Sequence, residues 1–247
     1  MQDAMLRTMR AFWLESARAS WGGSTLELPG VAAAVVPAMP QRSVVNCVVY
    51  EDADALGAAL DQLAAAYETA GVLAWTVWVP EADTRVQELL TAAGHVFDAE
   101  PMGQARELDG IEPPGEGELD LVADPSPDDF EPVVAGAYGW LGFGAAMERL
   151  PFHPYVARHE GRPAACLGIF DHEGDAGVEL VGTIPEARGR GLASRLLQRA
   201  LADARERGCR ISTLQATRAG YPVYSRLGYR DLGRVQMWER REPAPEG

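Results

Sequence analysis

The chain contains no lysine; all 22 of its basic residues are arginine. Against 36 acidic residues they leave a net charge of −14, which argues against general nucleic-acid binding. A Walker phosphate loop, which needs Gly-Lys-Ser/Thr, is excluded outright. Cysteine is scarce: Cys47, Cys166 and Cys209 are odd in number and far apart, matching neither a disulfide framework nor a zinc spacing. The four histidines, His95, His153, His159 and His172, stand singly in the sequence, so no metal site is expected. No apolar run reaches the roughly 18 residues of a membrane span. The opening stretch keeps Arg7, Arg10, Glu15 and Arg18, lacks the apolar core of a signal peptide, and reads as an amphipathic helix. A cytoplasmic protein without membrane or nucleic-acid partners is expected, as monomer or homodimer.

What charge there is falls unevenly. Residues 1–118 hold six arginines against eighteen acids, net −12, and residues 119–247 hold sixteen against eighteen, net −2. An anionic ligand should prefer the second half. Between the halves, "GIEPPGEGE" (110–118) is rich in Pro, Gly and acid and reads as a linker. The pattern on either side of it is similar. "AALDQLAAAYETAG", "AWTVWVP" and "TRVQELLTAAG" give helix, strand and short helix in the first half. "LASRLLQRALADARERG", "ISTLQAT" and "GYPVYSRLG" repeat that order in the second, with glycines closing the helices. An internal duplication is expected.

Upstream in the second half lie a strand "LDLV" and a helix capped by Ser126 with Pro127 at its first position. A second helical piece, "FGAAMERL", follows, and then "YVARHEGRPAACLGIFDHEGDAGVELVGT" reads as three strands joined by the turns "EGR" and "DHEGDA". The last strand runs into "TIPEARGRGLASRLL" (183–197), where two glycines and two arginines open a leucine-spaced helix. Glycine permits close backbone approach. The first N–H groups of a helix have no internal partner, and with the helix dipole they suit a diphosphate. The Rossmann fingerprint does not fit, because Gly189-x-Gly191-x-x-Ser194 lacks the third glycine and follows an antiparallel meander.

"RGRGLA" resembles the Arg/Gln-x-x-Gly-x-Gly/Ala signature of the GNAT acetyltransferase superfamily. "LQATRAGYPVYSRLGYR" (214–230) is similar to that family's second signature, a strand followed by a helix bearing Tyr ahead of Leu-Gly-Phe/Tyr. The resemblance covers roughly 119–241. It implies an α/β (α+β) chain of two tandem GNAT-like domains, each a mixed, mostly antiparallel sheet flanked by helices. The expected boundaries are a degenerate domain at 1–110, a linker at 111–118, a catalytic domain at 119–241 and a flexible tail at 242–247. In the first copy "YEDADALGAAL" stands where the loop belongs, with acids in place of arginines, so that copy is expected not to hold diphosphate.

The resemblance further implies acetyl-CoA as co-substrate, no metal, and a small-molecule amine as acceptor. Arg188, Gly189, Arg190, Gly191, Leu192 and Ala193 would hold the pyrophosphate, and Val181, Gly182 and Thr183 would pair with the pantetheine arm. The two central strands splay in this family, freeing backbone N–H groups to polarise the thioester carbonyl. Tyr224 aligns with the family's tyrosine acid, with Tyr221 the neighbouring phenol. Glu179, in phase with Val181 and Thr183, reads either as the base or as an exposed strand residue. Gln215 occupies a position where some members carry a Glu. The acceptor pocket would be lined by Tyr138, Trp140, Phe143 and Met147, with Glu148 for a cation; each reads equally as helix packing. Acylation of a protein N-terminus, a mycothiol-synthase-like reaction and a non-catalytic acyl-CoA sensor are the competing functions.

Overall fold

The computed structural model describes residues 1–115, 117 and 119–242. In chain order the elements are α1 (Gln2–Arg18), β1 (Ser24–Leu28), β2 (Val31–Val35), β3 (Cys47–Tyr50), α2 (Ala53–Thr69), β4 (Ala74–Pro80), α3 (Thr84–Ala92), β5 (Val96–Ala99) and β6 (Met102–Glu107). The second half continues with β7 (Asp120–Leu121), α4 (Pro127–Tyr138), α5 (Phe143–Ala146), β8 (His153–His159), β9 (Arg162–His172) and β10 (Asp175–Thr183). It ends with α6 (Leu192–Glu206), β11 (Ile211–Ala216), α7 (Tyr221–Arg226) and β12 (Arg230–Arg241). The series β3-α2-β4-α3-β5 and β10-α6-β11-α7-β12 carry the repeated rhythm of the sequence.

Two compact units form, and they exchange ends. One comprises Met1–Met9 and Gly103–Leu232, the other Arg10–Met102 and Gly233–Gly247. A cut at 111–118 therefore misses both exchanges: the first nine residues go with the C-terminal half, and the last strand crosses into the N-terminal half. There β12 pairs antiparallel with β4, Val235–Arg241 against Pro80–Ala74, and with β5. Glu116, Glu118 and residues 243–247, part of the expected linker and tail, lie outside the described residues. The linker's first residue is anchored: Ile111 is buried and its N–H donates to the Leu108 carbonyl.

In the N-terminal unit the β1–β2 hairpin turns at Gly30 (φ +70°) and passes to β3, which runs parallel to β4. Buried Val31, Val48, Leu56, Leu63, Tyr67, Trp75, Val77 and Leu90 form its core. The leucine spacing of α2 puts Leu56, Ala59, Leu63 and Tyr67 on one inward face.

The C-terminal unit orders its strands β6-β11-β10-β9-β8-β7. Both tight hairpins of the meander turn through paired left-handed residues, Glu160-Gly161 (φ +52°, +76°) and Glu173-Gly174 (φ +48°, +81°). That is the turn whose twist matches the strands, and glycine at the second position relieves its strain. α4 begins with a capping box, in which Ser126 and Asp129 satisfy each other's end of the helix. The helical piece expected over "FGAAMERL" stops at Ala146, and Met147 is already extended (φ −107°, ψ 126°). α6 buries Leu192, Leu196, Leu197, Ala200 and Leu201 along one face, the stripe that the spacing predicts.

Candidate active site

The site of the C-terminal unit is built around β10. β10 pairs with β11 only through Asp175–Gly177 against Ile211–Thr213. Beyond Gly177 the two parallel strands part, leaving that edge of β10 without a strand partner. On its other edge β10 follows β9 from Asp175 to Thr183, with one extra residue inserted between Glu179 and Gly182. The insertion is a β-bulge, and it holds Leu180 at φ +51°, a conformation that costs a non-glycine residue free energy and concentrates at functional sites. Two contacts support it. The Cys166 thiol donates to the Leu180 carbonyl at 3.4 Å, and the Tyr138 hydroxyl donates to the Val181 carbonyl. The bulge also corrects one expectation: Glu179 is not in phase with Val181 and Thr183, because the register shifts between them.

Gly182 is where α4 crosses closest. A Cβ there would stand 3.2 Å from Ala137 and 3.3 Å from Val133, so glycine lets the helix lie against the bulge. Past Thr183 a short turn at Pro185–Ala187 leads into Arg188. Gly189 (φ +74°) and Gly191 (φ +75°) take left-handed conformations, and Gly191 is the N-cap of α6 with no side-chain cap bond. Arg188 and Arg190 are exposed beside it. The Arg188 Nε donates back to the Thr183 carbonyl at 3.2 Å, and Arg195 from the first turn of α6 donates to the Arg190 carbonyl at 2.8 Å. The result is a glycine cradle at an uncapped helix start, with guanidinium groups at its rim: a site for an anion.

The equivalent place in the N-terminal unit is already filled. There α2 is capped by Asp52, whose Oδ1 accepts from the N–H groups of Asp54 and Ala55, both at 2.9 Å. A fixed carboxylate sits where an anionic ligand would need donors, and the neighbouring Glu51 and Asp54 are ion-paired with Arg10 and Arg85.

Tyr224 projects from α7 and is buried, 7% exposed. Its hydroxyl has no hydrogen-bond partner among the described residues. Burial, and then the nearby Glu179 carboxyl, push its pKa well above the usual tyrosine range. Tyr138 is raised by burial and by Tyr224, Cys166 and Glu179. Tyr138 thus lies within electrostatic reach of Tyr224, Cys166 and Glu179, and Tyr224 within reach of Glu179. Glu179 is half-buried; burial, and then Asp175, raise its pKa to about 8. Tyr221 points elsewhere, donating to Asp231 at 3.0 Å.

The residues expected to line an acceptor pocket divide. Tyr138 and Trp140 lie 5.4 Å apart at the end of α4 with their rings tilted by 36°, and Tyr138 is 37% exposed. Phe143 is buried against Phe130, and Met147 is also buried, so these two serve packing. Glu148 is exposed. Sequence reasoning missed Leu180 and Cys166, which shape the bulge, and Asp175 behind it. A leucine carries no mark of positive φ, and a cysteine in an apolar strand looks like any core residue.

A mixed sheet with a bulged, splayed central strand is followed by a glycine loop at a helix start, an arrangement suited to an anionic ligand. In keeping with it, residues 119–229 match the model of the Acetyltransferase (GNAT) family; this part of the chain is a GNAT domain. The whole chain is similar in fold to a GCN5-related N-acetyltransferase from Kribbella flavida (TM-score 0.67, 18% identity, covering 98% of this chain and 96% of that one). It is also similar to a GCN5-related N-acetyltransferase from Sphaerobacter thermophilus (TM-score 0.59, 20% identity, 88% and 79% covered). A tandem GNAT protein from the clavulanic acid biosynthesis pathway shares the fold over 99% of this chain and 97% of its own (TM-score 0.58, 14% identity). No curated protein matches the sequence. Among the described residues no helix is long and apolar enough to cross a membrane, and no cluster of side chains suits a metal ion.

Proposed function

We propose that the chain transfers the acetyl group of acetyl-CoA to the amine of a small molecule, in the C-terminal unit. The observation that carries this reading is the conjunction of the uncapped start of α6 with the open edge of β10. The first suits the diphosphate of CoA, and the second leaves strand N–H groups for the pantetheine arm and the thioester carbonyl. Acetyl-CoA enters as a substrate, held by Arg188–Ala193 and by Val181, Gly182 and Thr183.

Backbone donors at the bulge stabilise negative charge as it develops on the carbonyl oxygen. Glu179 takes the proton of the incoming ammonium. Its pKa of about 8 lies nearer an amine's than an ordinary carboxylate's does, which makes proton transfer less uphill. The sign is fixed: below pH 8 Glu179 is protonated and the base is lost, so kcat/KM falls as pH falls. Tyr224 keeps its proton at working pH and offers its O–H to the departing sulfur, stabilising the thiolate as it forms. The adjacent Tyr138 and Trp140 rings offer an aromatic surface to the acceptor. No covalent intermediate on the protein is needed, and Cys166, buried with its thiol pushed up to about 12, is a poor nucleophile.

The test is thiol release from acetyl-CoA across a panel of small amines, with the acetylated product identified by mass spectrometry. Amine-dependent release is expected, rising with pH to a plateau above 8. Binding of acetyl-CoA with no amine-dependent release would mark a sensor instead, and release only with peptide N-termini would reassign the acceptor.

A further inference from the structure

Asp175 stands at the root of β10 where the strands are still paired. It is 1% exposed. Its Oδ2 accepts from Thr8 Oγ1 of α1 at 2.7 Å and from Thr213 Oγ1 of β11 at 2.6 Å, while its Oδ1 is buried without a hydrogen-bond partner. The β10–β9 register is regular from Asp175 to Glu179, so Asp175, Gly177 and Glu179 share one face of the strand. Glycine at 177, between the two acids along the strand, lets the Thr8 methyl lie against the backbone. A Cβ there would meet the Thr8 methyl at 2.7 Å and would lie 3.9 Å from Glu179 Oε1. The Glu179 carboxyl thus extends back over the glycine, toward the acid held behind it.

We propose that Asp175 is a positioning residue for acetyl transfer: held charged by two hydroxyls, it acts past Gly177, on the same strand face, to make Glu179 a stronger proton acceptor. The proposal rests on the reading of Glu179 as the base.

The division of labour follows from the donors each acid receives. Hydrogen bonds to a carboxylate favour its charged form, and a like charge nearby disfavours a second. Burial raises the pKa of Asp175, but its two hydroxyl donors, the Thr213 backbone and His172 of β9 work against that and favour its charge; Tyr229 and Cys209 face it as neutral groups. Glu179 has no such donor among the described residues, and Tyr138 of α4 and Tyr224 of α7, which face it, are neutral. When the pair holds one proton, that proton is on Glu179. The amine's proton therefore goes to the partly buried acid rather than to the fully buried one.

The test combines a rate profile with a direct titration. In Asp175→Asn the amide oxygen still accepts from both threonines, so the fold is kept while the charge is removed. The acid limb of kcat/KM should move down by about one pH unit or more. Carbon-13 carboxyl resonances of the intact protein, assigned through Glu179→Gln, should show the same downward move of Glu179 in Asp175→Asn. Should Asp175→Asn fail to fold, the reciprocal measurement serves: coupling between two sites is mutual, so Glu179→Gln should lower the pH at which Asp175 titrates. A Glu179 resonance that titrates unchanged in Asp175→Asn, or an Asp175 resonance unchanged in Glu179→Gln, overturns the proposal. A Glu179 resonance that moves while the rate profile stays fixed upholds the coupling and instead removes Glu179 as the base.

Discussion

Replacing Tyr224 by phenylalanine should lower kcat on the order of 10²-fold, the usual worth of a positioned acid, and leave CoA affinity and Tm nearly unchanged. The reason lies in what the hydroxyl does not do. A buried tyrosine normally hydrogen-bonds its O–H, and deleting that group then costs about 1 kcal/mol of stability. Tyr224 sits 7% exposed with no partner for its hydroxyl among the described residues, so the fold loses almost nothing when it goes. Phenylalanine keeps the ring and its edge contact with Tyr229 at 5.9 Å. Tyr221→Phe gives the contrast, because its hydroxyl is engaged with Asp231: turnover should persist. Equal turnover in Tyr224→Phe would remove Tyr224 from the chemistry, and a large fall in Tm with turnover intact would make it a core residue.

Gly191→Asp should weaken acetyl-CoA binding by about 10²-fold or more, the scale of losing charge-assisted bonds of about 1.5–3 kcal/mol each. The substitution gives α6 the kind of residue that α2 already has. In the N-terminal unit Asp52 occupies its own helix start; in the C-terminal unit the same position is glycine and the donors face outward. Aspartate tolerates positive φ better than most residues, and a Cβ at 191 meets only Arg195, at 3.6 Å, which a carboxylate would attract. The positive φ makes the substitution strained and should lower the melting temperature modestly, while calorimetry well below that temperature shows the lost affinity. Undiminished binding would place the anion elsewhere.

The sequence announced the features that depend on local chemistry. Ser126-Pro127 capped α4, the Glu-Gly pairs at 160–161 and 173–174 turned the meander, and Gly71, Gly94 and Gly208 closed their helices. The glycine–arginine loop was legible because only glycine serves its left-handed positions and only a helix start offers spare donors. Features that depend on distant partners were not legible. Nothing in "MQDAMLRTM" says that Thr8 bonds Asp175, since an amphipathic helix reports a face and not what covers it. The exchange of β12 is silent for the same reason: a strand's alternation is satisfied by either neighbour. The bulge at Leu180 is the most consequential omission. Its cause is the close passage of α4 over Gly182 together with the bonds from Tyr138 and Cys166, and none of these is a property of β10 itself. Because of that one inserted residue, counting by twos from Thr183 gives the wrong phase for Glu179.

The pair of units also gives the acidic bias of the chain a structural meaning. The N-terminal copy keeps the helix–strand framework and its apolar core, but its helix start is neutralised internally by Asp52 and flanked by Glu51 and Asp54. The C-terminal copy leaves that position open beside Arg188 and Arg190. The central claim is therefore one functional acetyl-CoA site per chain, at the start of α6. Calorimetric titration of the intact protein with acetyl-CoA tests it most directly. One site per chain, lost in Gly191→Asp and retained in Asp52→Ala, is the predicted result; two equivalent sites, or a single site that survives Gly191→Asp and disappears in Asp52→Ala, would contradict it.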